Sequence, residues 1–199
     1  MTFPTSIALR GQAQRLVQDG ARLIEQGRPQ DAILVLRQAL ALQPRMADAY
    51  CYLGHALQLA GQLQQALQTY QQALTCDNAH IPAWLRLAEL HRQEGRLNDA
   101  VQAYRRALAL RPDLPEIHHD LGMLLDDMGH HIEAESAYRQ AIHWHPGYAE
   151  AHQNLGALMV TLGRLANAEE SCRQALALQP QSALAHACLA CVLVLQNQL

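Results

Sequence analysis

The chain has 199 residues, half of them hydrophobic but only 5% aromatic, with a formal charge of −3. That balance excludes the basic footprint of a nucleic-acid binder, and no apolar run approaches the roughly 20 residues of a membrane span. Val and Ile are sparse beside Ala and Leu, which argues against a sheet and for close-packed helices.

The opening, Met1 to Ser6, lacks a basic segment followed by an apolar stretch, so no secretory signal is expected. Residues 1–12 read as a lead-in or cap. From there a 34-residue echo runs through the chain. Glycines recur at Gly27, Gly61, Gly95, Gly129 and Gly163, and alanines at Ala32, Ala66, Ala100, Ala134 and Ala168. Five units are expected at 13–46, 47–80, 81–114, 115–148 and 149–182, with a half unit at 183–199. Self-similarity of this kind predicts a stack of small units rather than one closed core. In the second unit, Tyr50, Leu53, Leu57 and Ala60 have helical spacing, as do Leu63, Ala66, Leu67, Tyr70 and Ala73. Gly61-Gln62 between them predicts a tight turn, so each unit is expected to be a helical hairpin in an all-α chain.

Small residues hold one place in every first helix: Gly20, Gly54, Ala88, Gly122, Gly156 and Ala190. Glycine inside a helix costs up to about 1 kcal/mol against alanine, so its recurrence points to a close helix approach. Tyr70, Tyr104 and Tyr138 recur one repeat apart, with Leu36 and Cys172 in the same place of the first and fifth units.

The pattern Trp84-x2-Leu87-Ala88-x2-His91, followed by Gly95, Ala100, Tyr104, Ala107 and Pro112, resembles the tetratricopeptide repeat. The resemblance covers nearly the whole chain. It implies a right-handed α-solenoid of antiparallel helix pairs, with first helices lining a concave groove that holds a partner peptide or helix. The run Ala151 to Pro180 is similar to the repeats that precede the catalytic domain of O-linked N-acetylglucosamine transferases. Those repeats use an asparagine ladder. Here only Asn154 fits it; the equivalent places hold Gln18, Tyr52, Arg86, Asp120 and Cys188.

If first helices line the groove, its candidate residues follow in order: Tyr52 and His55; Arg86, Glu89 and Arg92; Glu116, His119, Asp120, Met123, Asp126 and Asp127; Glu150, Gln153 and Asn154. The carboxylates read either as a solvated helix face or as a wall that attracts a basic segment. Chaperone-binding members of the family clamp a ligand's terminal carboxylate with Lys and Asn, and this chain has no lysine.

His118, His152 and His186 fall where Tyr50 and Trp84 stand, as packing rings one rung apart and too distant to share a zinc ion. Protonating them is expected to loosen the stack. Cys188-x2-Cys191 reads as small buried residues, and the five cysteines as free thiols of a cytoplasmic protein. No nucleophile triad, phosphate loop or His-Glu-x2-His is present, so neither an enzyme nor a cofactor or metal is expected. The last segment is apolar nearly all round. Leu184, Cys188, Cys191, Val192, Val194 and Leu195 are therefore candidates for an oligomer contact or for the surface of a missing domain. The expected role is a protein-interaction scaffold; the alternatives are the recognition arm of a glycosyltransferase or sulfotransferase, and a self-assembling array.

Overall fold

The computed structural model describes residues 6–197, which form eleven helices and no strand. Contacts divide the chain into two compact units, one ending at Leu110 and the other starting at Arg111. The first unit holds three hairpins: α1 (Ser6–Glu25) with α2 (Pro29–Leu42), α3 (Ala47–Leu59) with α4 (Leu63–Cys76), and α5 (Ile81–Gln93) with α6 (Leu97–Leu110). The second holds α7 (Pro115–Asp127) with α8 (His131–Trp144), α9 (Ala149–Thr161) with α10 (Leu165–Leu178), and the single helix α11 (Ala183–Gln196). α1 runs unbroken across residue 12, so the expected lead-in and the first repeat share one helix. Residues 1–5 and 198–199 lie outside the described part.

Each hairpin turns on a glycine in the left-handed region, with φ of +76° at Gly61. The Gly61 N–H donates to the Gln58 carbonyl and the Gln62 N–H to that of Leu57. The last carbonyls of α3 are thereby satisfied before α4 begins. Gly27, Gly95, Gly129 and Gly163 repeat this backbone.

The small-residue series explains the pairing. A Cβ added at Gly54 would stand 2.6 Å from the ring of Tyr70, at Gly122 2.7 Å from that of Tyr138, and at Gly20 2.6 Å from Leu36. At Gly156 it would meet the sulfur of Cys172 at 2.7 Å. One large side chain of the second helix thus fills the hole left by glycine in the first. Tyr70, Tyr138, Leu36 and Cys172 are buried almost completely. Within each unit, consecutive first helices approach one another (α1 with α3, α3 with α5; α7 with α9, α9 with α11), whereas consecutive second helices do not. Closer approach on one side curves each stack and puts the first helices on its concave side.

Rings at the start of the first helices bond to the turns that precede them. Trp84 donates its Nε1–H to the Asn78 carbonyl at 2.9 Å. His118, His152 and His186 place Nε2 2.8, 3.0 and 2.9 Å from the carbonyls of Pro112, Pro146 and Pro180. A carbonyl only accepts, so Nε2 carries the hydrogen in all three. Histidine replaces tryptophan here as a ring N–H donor as well as a packing ring.

Two histidines of the first unit oppose protonation. Burial, then the nearby Arg86 cation, holds His55 below the usual imidazole range. Burial, then Arg96, does the same to His91, whose Nδ1 is buried without a partner. A depressed folded pKa means that the unfolded chain takes up protons first as pH falls. Stability in this unit is therefore expected to be flat above about pH 6.5 and to fall below it. Amide exchange of residues 47–110 between about pH 7.5 and 5.5 tests this. Exchange corrected for pH that does not change would refute it, and His91→Gln should reduce the slope.

Two expectations are corrected. Cys172 and Cys188 are not free thiols: the α10 and α11 backbones bring their Cα atoms to 6.5 Å and the two are disulfide-bonded. Cys51, Cys76 and Cys191 are free. Val192 is not available for a contact, because it is fully buried on the inner side of α11. That helix splits into a buried edge and an exposed apolar one, with Leu184 69% and Val194 56% exposed.

Candidate functional site

The concave side of each unit is built separately. In the first, Tyr52 is exposed and His55 is half-buried. Arg86 donates to Glu89 at 3.0 Å along α5, so its charge is partly spent within the helix. Arg92 is exposed. The floor carries a polar chain that the sequence did not announce. Tyr70 Oη donates to Gln58 Oε1 at 2.8 Å, and Gln58 Nε2 to Gln93 Oε1 at 3.0 Å. Burial is the largest cause pushing the Tyr70 hydroxyl up and the Cys51 thiol up to about 11, so neither is a nucleophile at neutral pH.

In the second unit, α7 and α9 contain no arginine and carry Glu116, Asp120, Asp126, Asp127 and Glu150. Glu116, Asp127 and Glu150 are exposed; Asp120, Asp126 and Met123 are half-buried. Glu150 accepts from Gln179 Nε2 at 3.0 Å, and that bond is the first cause holding its carboxyl below the usual range. Gln153 accepts from Ser182 Oγ at 2.8 Å, and Asp126 from His131 Nδ1 at 3.0 Å.

His119 departs from its expected place on the groove wall. It is buried, with its ring centroid 5.0 Å from that of Tyr148 and 5.9 Å from that of Tyr138. Its Nε2 accepts from Asn154 Nδ2 at 2.9 Å. It therefore braces Asn154 from behind instead of meeting a ligand. Position 119 faces the next hairpin, whereas the neighbouring Asp120 faces outward. Tyr148, just before α9, was not singled out by the sequence. Its hydroxyl is pushed up by burial and then by Asp120, Glu116 and Glu150, which places it among these carboxylates.

A cavity of about 240 Å³ opens between α7 and α9, lined by Met123, Asp126, Asp127, Tyr138, Asn154 and Ala157. Among the described residues, no cluster of three or more His, Cys, Asp or Glu is arranged to hold a metal ion. No helix among them is long and apolar enough to cross a membrane.

The hairpins, their glycine turns and their glycine-to-tyrosine seams agree with two family models. One, described as tetratricopeptide repeat, matches residues 23–90 and 127–191; the other, described as TPR repeat, matches residues 88–129. The chain belongs to the tetratricopeptide-repeat family. Solved structures with this fold include a MamA protein, 24% identical over 87% of this chain and 95% of that one, with a TM-score of 0.74. YrrB, described as a TPR protein with an unusual peptide-binding site, is 23% identical over 86% and 89%, with a TM-score of 0.72. The pilF protein of Pseudomonas aeruginosa is 19% identical over 95% and 87%, with a TM-score of 0.79. At these identities the likeness shows the tetratricopeptide-repeat fold and no more. No curated protein matches the chain.

Proposed function

We propose that the protein is a non-catalytic interaction scaffold whose second unit binds a basic, arginine-bearing segment of a partner protein along the concave side of α7 and α9. The observation that carries this reading is the charge of those two helices: five carboxylates and no arginine. A peptide of opposite sign would approach faster and dock in a preferred register. The rigid stack presents this wall already ordered, which lowers the cost of binding. YrrB's description as having a peptide-binding site is consistent with such a role for the fold.

The test is salt. Peptides selected from a displayed library on the full chain should be enriched in arginine. Their affinity should fall several-fold between about 50 and 500 mM salt, as the Debye length shrinks from over 10 Å to under 5 Å. Affinity independent of salt would overturn the electrostatic reading. An asparagine-ladder arm of the glycosyltransferase kind has little support, because the one fitting residue, Asn154, commits its amide nitrogen to His119.

A second reading, self-association through α11, is favoured by the exposed Leu184, Leu193 and Val194. The occupant would be a second copy of the chain. A mass by sedimentation that rises with concentration, and that Val194→Glu returns to 22.1 kDa, would support it. A concentration-independent monomer mass would end it.

A further inference from the structure

We infer that the cavity between α7 and α9 is a subsite for one arginine side chain of the bound partner, an inference that rests on the groove reading above. Its volume of about 240 Å³ lies below the roughly 300–1,000 Å³ of small-molecule sites, which suits a single side chain. Met123 and Ala157 supply apolar wall for an alkyl stem.

The polar groups facing the cavity are acceptors or can act as such. Asp126 and Asp127 bring carboxylates, and Asp126 has only one oxygen engaged, by His131. Asn154 has its Nδ2 turned to His119, which leaves Oδ1 as its acceptor. Tyr138 is the independent observation. It is 1% exposed, it lines the cavity, and among the described residues its hydroxyl has no hydrogen-bond partner. The equivalent Tyr70 does have one, Gln58. Position 126 holds Asp where 58 holds Gln, and Asp126 has turned to His131 instead. The Tyr138 ring passes over Gly122 and its hydroxyl feels Asp126 and Asp127 after burial, so its polar end faces their side of the cavity.

A cavity whose groups keep acceptor capacity free, with carboxylates among them, calls for a ligand group that donates. Guanidinium and ammonium donate without accepting and bring the positive charge that Asp126 and Asp127 attract, whereas the donor-only indole N–H brings none. Acceptors from four residues suit the five N–H groups of guanidinium, which is also the more weakly hydrated cation.

The test uses the full chain with its Met and Ala methyls labelled for NMR. The probes are N-acetyl-arginine amide, the lysine equivalent, and the citrulline equivalent, which keeps shape and loses charge. Arginine amide should shift the Met123 and Ala157 methyls in a saturable way. Lysine should bind more weakly and citrulline about tenfold more weakly, since a charge-assisted hydrogen bond is about twice as strong as a neutral one. Asp127→Asn, at an exposed position, and Tyr138→Phe should each weaken the arginine response several-fold. No shift with arginine amide, equal responses to arginine and citrulline, or lysine binding as tightly as arginine would overturn the inference. If a selected peptide binds α7 and α9 but tolerates arginine-to-citrulline exchange, the subsite fails and the groove reading survives. If arginine amide occupies the cavity while no peptide binds, the subsite stands and the groove reading fails.

Discussion

Replacing Gly122 with leucine is expected to destabilise the chain by about 3 kcal/mol and lower its melting temperature by about 6–12 °C. The cause is steric. Even a bare Cβ at this position would stand 2.7 Å from the ring of Tyr138. That ring is almost wholly buried, so moving it disturbs the packing around it. Leucine adds three further carbons to the clash. Gly122→Ala is the graded comparison: its single added carbon already meets the ring at 2.7 Å, so it should also destabilise, but by less than leucine. Ala88 occupies the equivalent place in α5 and is fully buried, so the third hairpin is built around a methyl that the fourth is not. Alanine offsets part of that cost by recovering up to about 1 kcal/mol of helix propensity. Differential scanning calorimetry of both variants decides it. A leucine variant melting within about 2 °C of the parent would mean that the seam is looser than this packing requires.

The second large effect concerns Glu135, a carboxylate only 5% exposed in α8. It accepts two hydrogen bonds from Arg164, at 2.8 and 3.0 Å, and pairs with Arg139 one turn along its own helix. The equivalent positions of the first three units hold Ile33, Leu67 and Val101, all buried, while the fifth holds Glu169, half-buried and paired with Arg173. This is therefore a core position into which a charge has been built. Removing both partners, Arg139→Ala with Arg164→Ala, leaves that charge buried and unpaired, at a cost of about 3 kcal/mol. Glu135→Leu removes the charge and restores the side-chain type of the first three repeats. It should stay within about 1 kcal/mol of the parent or exceed it. Chemical denaturation of the two variants separates the cases. If the double alanine variant is as stable as the parent, or the leucine variant far less so, the pair does not behave as a buried ion pair.

How far the sequence reveals this molecule depends on what each residue answers to. Gly61 and its counterparts answer to local backbone geometry, and the turns are where the 34-residue echo places them. Gly122 and Tyr138 answer to one neighbouring helix at fixed register, so their partnership is also legible. His118, His152 and His186 are half legible. Their place shows a ring, but that the ring is also a donor depends on a carbonyl six residues back at the turn. His119 was misread because a helix face is not divided cleanly into wall and interior. One step of about 100° separates buried His119 from half-exposed Asp120. The Cys172–Cys188 bond and the burial of Val192 depend on how α11 docks on α10, which its nearly uniform apolar composition does not encode. The cavity is the least legible feature. It depends on Asp126 choosing His131 over Tyr138, a choice among near neighbours that spacing cannot decide.

The acidic concave wall as a peptide-binding surface is tested most directly by mapping a bound peptide. An arginine-bearing peptide selected on the full chain should be titrated into labelled protein and followed by amide and methyl shifts. Perturbations are expected along Asp120, Met123, Asp127, Gln153 and Asn154, with the outer faces of α8 and α10 unmoved. Perturbations confined to those outer faces, or to α11, would contradict it.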